Sequence, residues 1–143
     1  MKRPLLSGGS LEQTRREAEK GNPDAQCYLG IVYSEGEGVS KDFTQAVSWL
    51  LQAAEQGHED AQFRLGVIYS QCEDGVPQDV LEAFKWFQLA AQKGDPDYEF
   101  KLGILYATGF GTTKNPKAAI KLFRLSAQKG NYLAKLEIAK LVS

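Results

Sequence analysis

An all-α repeat array follows from three features of this 143-residue sequence. Glycines recur with a period of 36 or 37 residues, apolar residues recur at helical spacing inside each period, and helix-start residues keep the same phase. Gly21, Gly57, Gly94 and Gly130 set the period. Gly30, Gly66 and Gly103 follow nine residues later, and Gly38, Gly75 and Gly111 lie four residues before Asp42, Asp79 and Asn115. With Gly36 and Gly109, twelve of the fourteen glycines are in phase, so the glycine excess is repeat punctuation and not loop content.

The array is expected to be one domain over 1–143. Residues 10–20, around Gln13-Thr14-Arg15-Arg16-Glu17, read as a polar capping helix. Full units follow at 21–56, 57–93 and 94–129, with a half unit at 130–143. In the first helix of unit one, Ala25, Leu29, Val32 and Tyr33 fall on one face. Asn22 suits the cap, Pro23 the first helical position and Asp24 the positive end of the helix dipole. Asp95-Pro96-Asp97 repeats those roles in unit three. The second helices start at Asp42, Asp79 and Asn115, where Gln45 and Glu82 stand at capping-box spacing and Pro116 follows Asn115. In unit one this helix buries Ala46, Trp49, Leu50, Ala53 and Ala54. Gly30, Gly66 and Gly103 fall inside helices, each costing about 1 kcal/mol relative to alanine; they are expected to admit the alanine-faced second helix at close range. The loop of unit two is one residue longer, with Cys72 where Gly36 and Gly109 stand.

The run Gly57-His58-Glu59-Asp60-Ala61-Gln62-Phe63-Arg64-Leu65-Gly66-Val67-Ile68-Tyr69 resembles the first helix of the SEL-one-like repeat, a relative of the tetratricopeptide repeat. Gly36-Glu37-Gly38-Val39-Ser40-Lys41-Asp42, then Ala46, Trp49 and Ala53-Ala54, is similar to that family's loop and second helix. The resemblance implies a right-handed α-solenoid of antiparallel helix pairs acting as a scaffold or adaptor for a protein or peptide partner, with no catalytic residues and no cofactor. A cysteine-rich secreted branch of the family, with members reported to bind β-lactams, suggests the alternative of a weak hydrolase or ligand binder acting on a β-lactam or cell-wall fragment. That branch carries a cysteine pair in each repeat, which this chain does not.

The residues themselves offer little chemistry. His58, the single histidine, stands at a helix start and reads as a cap. Cys27 and Cys72 lie too far apart for a disulfide, the second being about 13 Å of helical rise beyond the position equivalent to the first. Two free thiols fit a reducing compartment, and Met1-Lys2-Arg3-Pro4 lacks the apolar stretch of a signal peptide, so a cytoplasmic location is expected. Asp24, Asp60 and Asp97 read as helix-start charges and not as a metal ladder. No apolar run approaches the roughly 20 residues that cross a bilayer. A net charge of −1 argues against general nucleic-acid binding.

Three surfaces could bind a partner. The second face of the first helices carries Cys27, Ile31, Phe63, Val67, Phe100 and Ile104, edged by Tyr28, Arg64 and Lys101. It is either packing between neighbouring units or an apolar groove for a peptide or helix. The near-zero net charge conceals segregation: residues 1–99 hold 9 basic and 17 acidic side chains, residues 100–143 hold 8 basic and 1 acidic. Lys117, Lys121 and Arg124 form a basic stripe at i, i+4 and i+7, suited to an acidic partner or to head-to-tail self-association. The last helix is apolar at Ile138, Leu141 and Val142, a further candidate for self-association.

Overall fold

The computed structural model describes residues 10–142. The reading of the first residues as lacking a leader lies outside them. Eight helices account for most of the described chain: α1 (Leu11–Glu19), α2 (Pro23–Glu35), α3 (Phe43–Glu55), α4 (Glu59–Tyr69), α5 (Val80–Ala91), α6 (Pro96–Thr108), α7 (Pro116–Gln128) and α8 (Tyr132–Val142). No strand occurs among the described residues, only an isolated bridge between Glu73 and Val76. Two compact units divide the chain between Gln78 and Asp79, the first holding α1–α4 and the second α5–α8.

The expected helix starts are all present. Asn22, Asp42, His58, Asp79, Asp95 and Asn115 each accept a backbone N–H of the first turn through the side chain. Each such cap contributes about 1 kcal/mol relative to alanine. The Glu82 carboxylate does other work: it accepts from Trp86 Nε1 at 3.2 Å and from Lys85 Nζ at 3.4 Å. At the equivalent place in α3, Gln45 stands where Glu82 stands, and Trp49 Nε1 is buried with no partner among the described residues.

Inside the first unit, α2 packs against α1, α3 and α4, which explains why it is apolar nearly all round. Ala18, Ala25 and Leu29 form one cluster of this core, with Leu11 and Trp49 packed against it. In the second unit, α7 packs against α6 and α8 around Ala119, Phe123 and Ala134. The helical glycines do not simply let an alanine face approach. The space is filled by a large side chain: a Cβ on Gly103 would meet Phe123 Cε1 at 2.6 Å, and one on Gly30 would meet Leu50 Cγ and, at 2.6 Å, Leu50 Cδ2. Leu50, Phe87 and Phe123 share one register position, next to the tryptophans of α3 and α5, and are almost fully buried. Trp49 is only half-buried, so the residue after it is the one that plugs the pair together.

The long loop after α4 has a backbone cause. α2 and α6 end on glycines in the left-handed conformation, Gly36 at φ 74° and Gly109 at φ 78°. No glycine stands there in α4, which closes on Ser70 at φ −75°, its N–H donating to Gly66 O and Val67 O. Glu73 and Val76 then exchange two backbone hydrogen bonds of 3.1 and 3.0 Å, and the Gln78 side chain donates to Ser70 O at 3.0 Å.

Candidate functional site

The first helices were the sequence's main candidate for a binding face, and burial divides their residues. Ile31 and Cys27 are each 3% exposed. Ile31 therefore belongs to the core of the first unit, because α2 is enclosed by three neighbouring helices. Tyr28, Phe63, Arg64 and Val67 are half-buried. Arg64 is held in place: its Nε donates to both oxygens of Asp60, at 3.2 and 3.3 Å. In the second unit Phe100 lies 5.7 Å from Phe123 between ring centres, and Ile104 packs on the same cluster as Ala134 of α8. At these two positions the apolar side of the helix is packing between neighbours. Lys101 is half-exposed, its Nζ 5.3 Å from the centre of the Phe87 ring.

Two sets of links join successive repeats, and neither was visible as a local pattern. His58 Nδ1 accepts the Ala61 N–H, so the hydrogen on Nε2 is shared with Asp24 Oδ1 at 2.9 Å. Asn131 likewise donates to Asp97 at 3.2 Å, so two of the three helix-start carboxylates, Asp24 and Asp97, are partners of the next repeat's cap, while Asp60 is taken by Arg64. Deeper in, Gln26 Nε2 donates to Ala18 O at 3.1 Å and Gln62 Nε2 to Ala54 O at 3.2 Å, each reaching the last turn of the preceding helix. Glu99 holds that register position in the third repeat, and a carboxylate cannot donate there. Lys129 substitutes, donating to Glu99 Oε2 and to Gly94 O at 2.8 Å each. Glu99 Oε1 is buried without a partner among the described residues.

The cysteines differ in reactivity. Cys27 is buried and its Sγ lies 3.7 Å from Asp60 Oδ2; burial foremost, then the Asp60 charge, push its pKa from 9.0 to about 12. Cys72 is exposed. An aromatic disulfide reagent at pH 8 is expected to titrate one fast thiol per folded chain, abolished by Cys72→Ser, with the second appearing only on unfolding. Two fast thiols in the wild type would contradict this. Because the folded thiol holds its proton more tightly than the unfolded one, its contribution to stability is complete below pH 9 and declines as pH rises toward 12.

On α8, the expected self-association residues are rearranged. Ile138 and Leu141 pack against the Ala119, Phe123 and Ala134 cluster, which already occupies them. Val142 is exposed, together with Tyr132, Leu133 and Leu136. Lys117, Lys121 and Arg124 are exposed as expected. Among the described residues no group of three or more histidine, cysteine, aspartate or glutamate side chains could hold a metal ion. No helix among them is long and apolar enough to cross a membrane.

Repeated helix pairs, two of them plugged by a large side chain at Gly30 and Gly103, with side-chain ties between neighbouring repeats inside each unit, define an all-α helical-repeat protein of the solenoid class. The chain belongs to the Sel1-repeat family, whose model matches residues 23–58, 59–95 and 96–131. Members of this family are generally non-catalytic scaffolds for protein interaction. The structure is similar to a Sel1 repeat protein from Oxalobacter formigenes, at 32% identity and TM-score 0.79, over 91% of this chain and 97% of that one. It is also similar to c5321, a protective antigen of uropathogenic Escherichia coli with an SLR fold, at 41% identity and TM-score 0.81, covering 86% of this chain and 26% of that one. In sequence, 50 residues are 42% identical to the secretory immunoglobulin A-binding protein EsiB of Escherichia coli O6:H1. That match takes in 35% of this chain and spans 10% of EsiB.

Proposed function

We propose that the chain is a non-catalytic adaptor whose first helices present a partly apolar, partly charged face to a protein or peptide, and not to nucleic acid. The observation that carries this reading is the half-buried set Tyr28, Phe63, Arg64 and Val67 in the first unit, apolar surface with a guanidinium beside it. Aromatic and arginine side chains are the types that dominate binding energy at protein interfaces. The family membership supports it, as does the name of EsiB, which states that this relative binds a protein.

Affinity capture with the wild type and with Phe63→Ala as paired baits tests the reading, with thermal melts of both run in parallel. The expected result is a partner retained by the wild type and reduced about tenfold or more by Phe63→Ala at an unchanged melting temperature, corresponding to about 1.4 kcal/mol of binding. Equal recovery by both baits defeats the proposed face, and an unfolded Phe63→Ala assigns Phe63 to the core and defeats it as well.

A further inference from the structure

We infer that the outer face of α7 docks an acidic amphipathic helix of another protein. This rests on the reading of the chain as a protein-binding scaffold, but it is carried by different residues on a different helix.

Residues 100–143 hold eight cations, and the fold uses only some of them. Those that serve the fold have visible partners: Lys129 holds Glu99 and Gly94 O, Lys140 lies 3.0 Å from Glu137, and Lys101 sits over Phe87. Lys114, Lys117, Lys121, Arg124 and Lys135 are exposed and have no side-chain ion pair or hydrogen bond among the described residues; of these, Lys117, Lys121 and Arg124 stand on α7. They share one face of α7, opposite Ala119, Phe123 and Ser126, which are fully buried. With Ile120, Leu125 and Gln128 they line a shallow depression of about 440 Å³. Ile120 is half-buried and Leu125 is 37% exposed, so apolar surface flanks the charges, Ile120 on one side of the stripe and Leu125 on the other.

The placement is also unfavourable for α7 on its own. α5 has Glu82 in its first turn, whereas α3 and α7 have no acidic residue there, and α7 alone of the three carries a lysine, Lys117, at the positive end of its dipole. The fold gains nothing visible from this arrangement; an anionic partner would.

The spacing selects the kind of partner. Positions i, i+4 and i+7 span about 10 Å along the axis, a distance that carboxylates on a second helix match when they repeat at the same interval. Ile120 and Leu125 would then receive apolar side chains from the same face of that helix, the manner in which amphipathic helices bind. Phosphate-bearing partners would use the cations and leave the two apolar residues idle.

A fluorescent peptide of about four helical turns, with glutamates at i, i+4 and i+7 and leucines flanking that stripe, serves as the probe. It is titrated against the full chain and against the Lys117→Glu/Lys121→Glu/Arg124→Glu variant. The expected result is saturable binding to the wild type, weakened about tenfold or more by the triple reversal and progressively by salt, with unchanged helical circular dichroism. Glutamine in place of the glutamates, or serine in place of the leucines, is expected to weaken it comparably. Failure of the peptide to bind the wild type, equal binding to the reversed variant, or tighter binding of duplex RNA or phosphatidylserine vesicles than of the peptide would overturn the inference. Capture that depends on Phe63 is unaffected by the triple reversal in any of these outcomes, so the two surfaces are judged separately.

Discussion

Replacing Gly103 with valine is expected to remove about 3 kcal/mol of folding stability, the upper end of what overpacking a core costs. The new Cβ alone would stand 2.6 Å from Phe123 Cε1 and 2.8 Å from Cδ1. Phe123 is 0% exposed and enclosed by Ala119 and Ala134, so the ring cannot swing away as a surface side chain would. Helix propensity pulls the other way, since glycine is about 1 kcal/mol worse than alanine, but that gain is smaller than the clash. Ala139 provides an internal control. It occupies the same register position in α8 and is exposed, so Ala139→Val is expected to shift stability by no more than about 0.5 kcal/mol. Denaturant titrations should show the midpoint falling at constant slope for Gly103→Val. In a Phe123→Ala background, itself costing about 3–5 kcal/mol, the added cost of Gly103→Val should shrink, because the ring that clashes is gone. A wild-type midpoint for Gly103→Val, or full additivity with Phe123→Ala, would refute the plug.

Lys129→Met should destabilise the chain by about 2–3 kcal/mol. Removing one partner of a fully buried pair costs about 3–5 kcal/mol, and the figure is reduced here because Lys129 is 41% exposed while Glu99 is 6% exposed. The substitution leaves the Glu99 carboxylate buried with both oxygens lacking the ammonium that compensates them. Adding Glu99→Gln to Lys129→Met should recover most of the loss. The glutamine then offers the side-chain amide that Gln26 and Gln62 use at the same register position, donating to the Ala91 carbonyl as those donate to Ala18 and Ala54. If the double variant is no more stable than Lys129→Met alone, the register argument fails.

These two sites also mark where sequence reasoning succeeded and where it stopped. Helix existence, order and caps were legible because each rests on local chemistry repeated three times: Asn22-Pro23-Asp24 and Asp95-Pro96-Asp97 can do little but start a helix. The buried face of α3 was legible, Leu50 included, but not which of its residues fills the space over the helical glycine. Trp49 and Trp86 draw attention by size, whereas the almost fully buried position is the next one, where Leu50, Phe87 and Phe123 stand and no single residue type repeats. Comparing residue volume at each register position, instead of residue identity, singles that position out. The Asp24–His58 and Asp97–Asn131 links join residues 34 apart, beyond any local pattern. Glu99, by contrast, was in plain view as a departure from Gln26 and Gln62, and a charge replacing a paired amide is a signal worth following. The candidate face of the first helices was only partly legible, since a helix apolar on two sides does not reveal which side has a neighbour. Ile31 and Val67 hold the same register position and differ in burial.

The glutamine links have a consequence for anyone rebuilding such an array. Gln26 and Gln62 are buried, and each finds its acceptor on the helix that precedes its own pair. A graft or deletion cut at the loop between α3 and α4 would therefore separate an amide from its acceptor, although that loop looks like the natural seam. The transferable module is therefore larger than a pair: a plugged pair together with the second helix that precedes it, which keeps both the plug and the amide's acceptor.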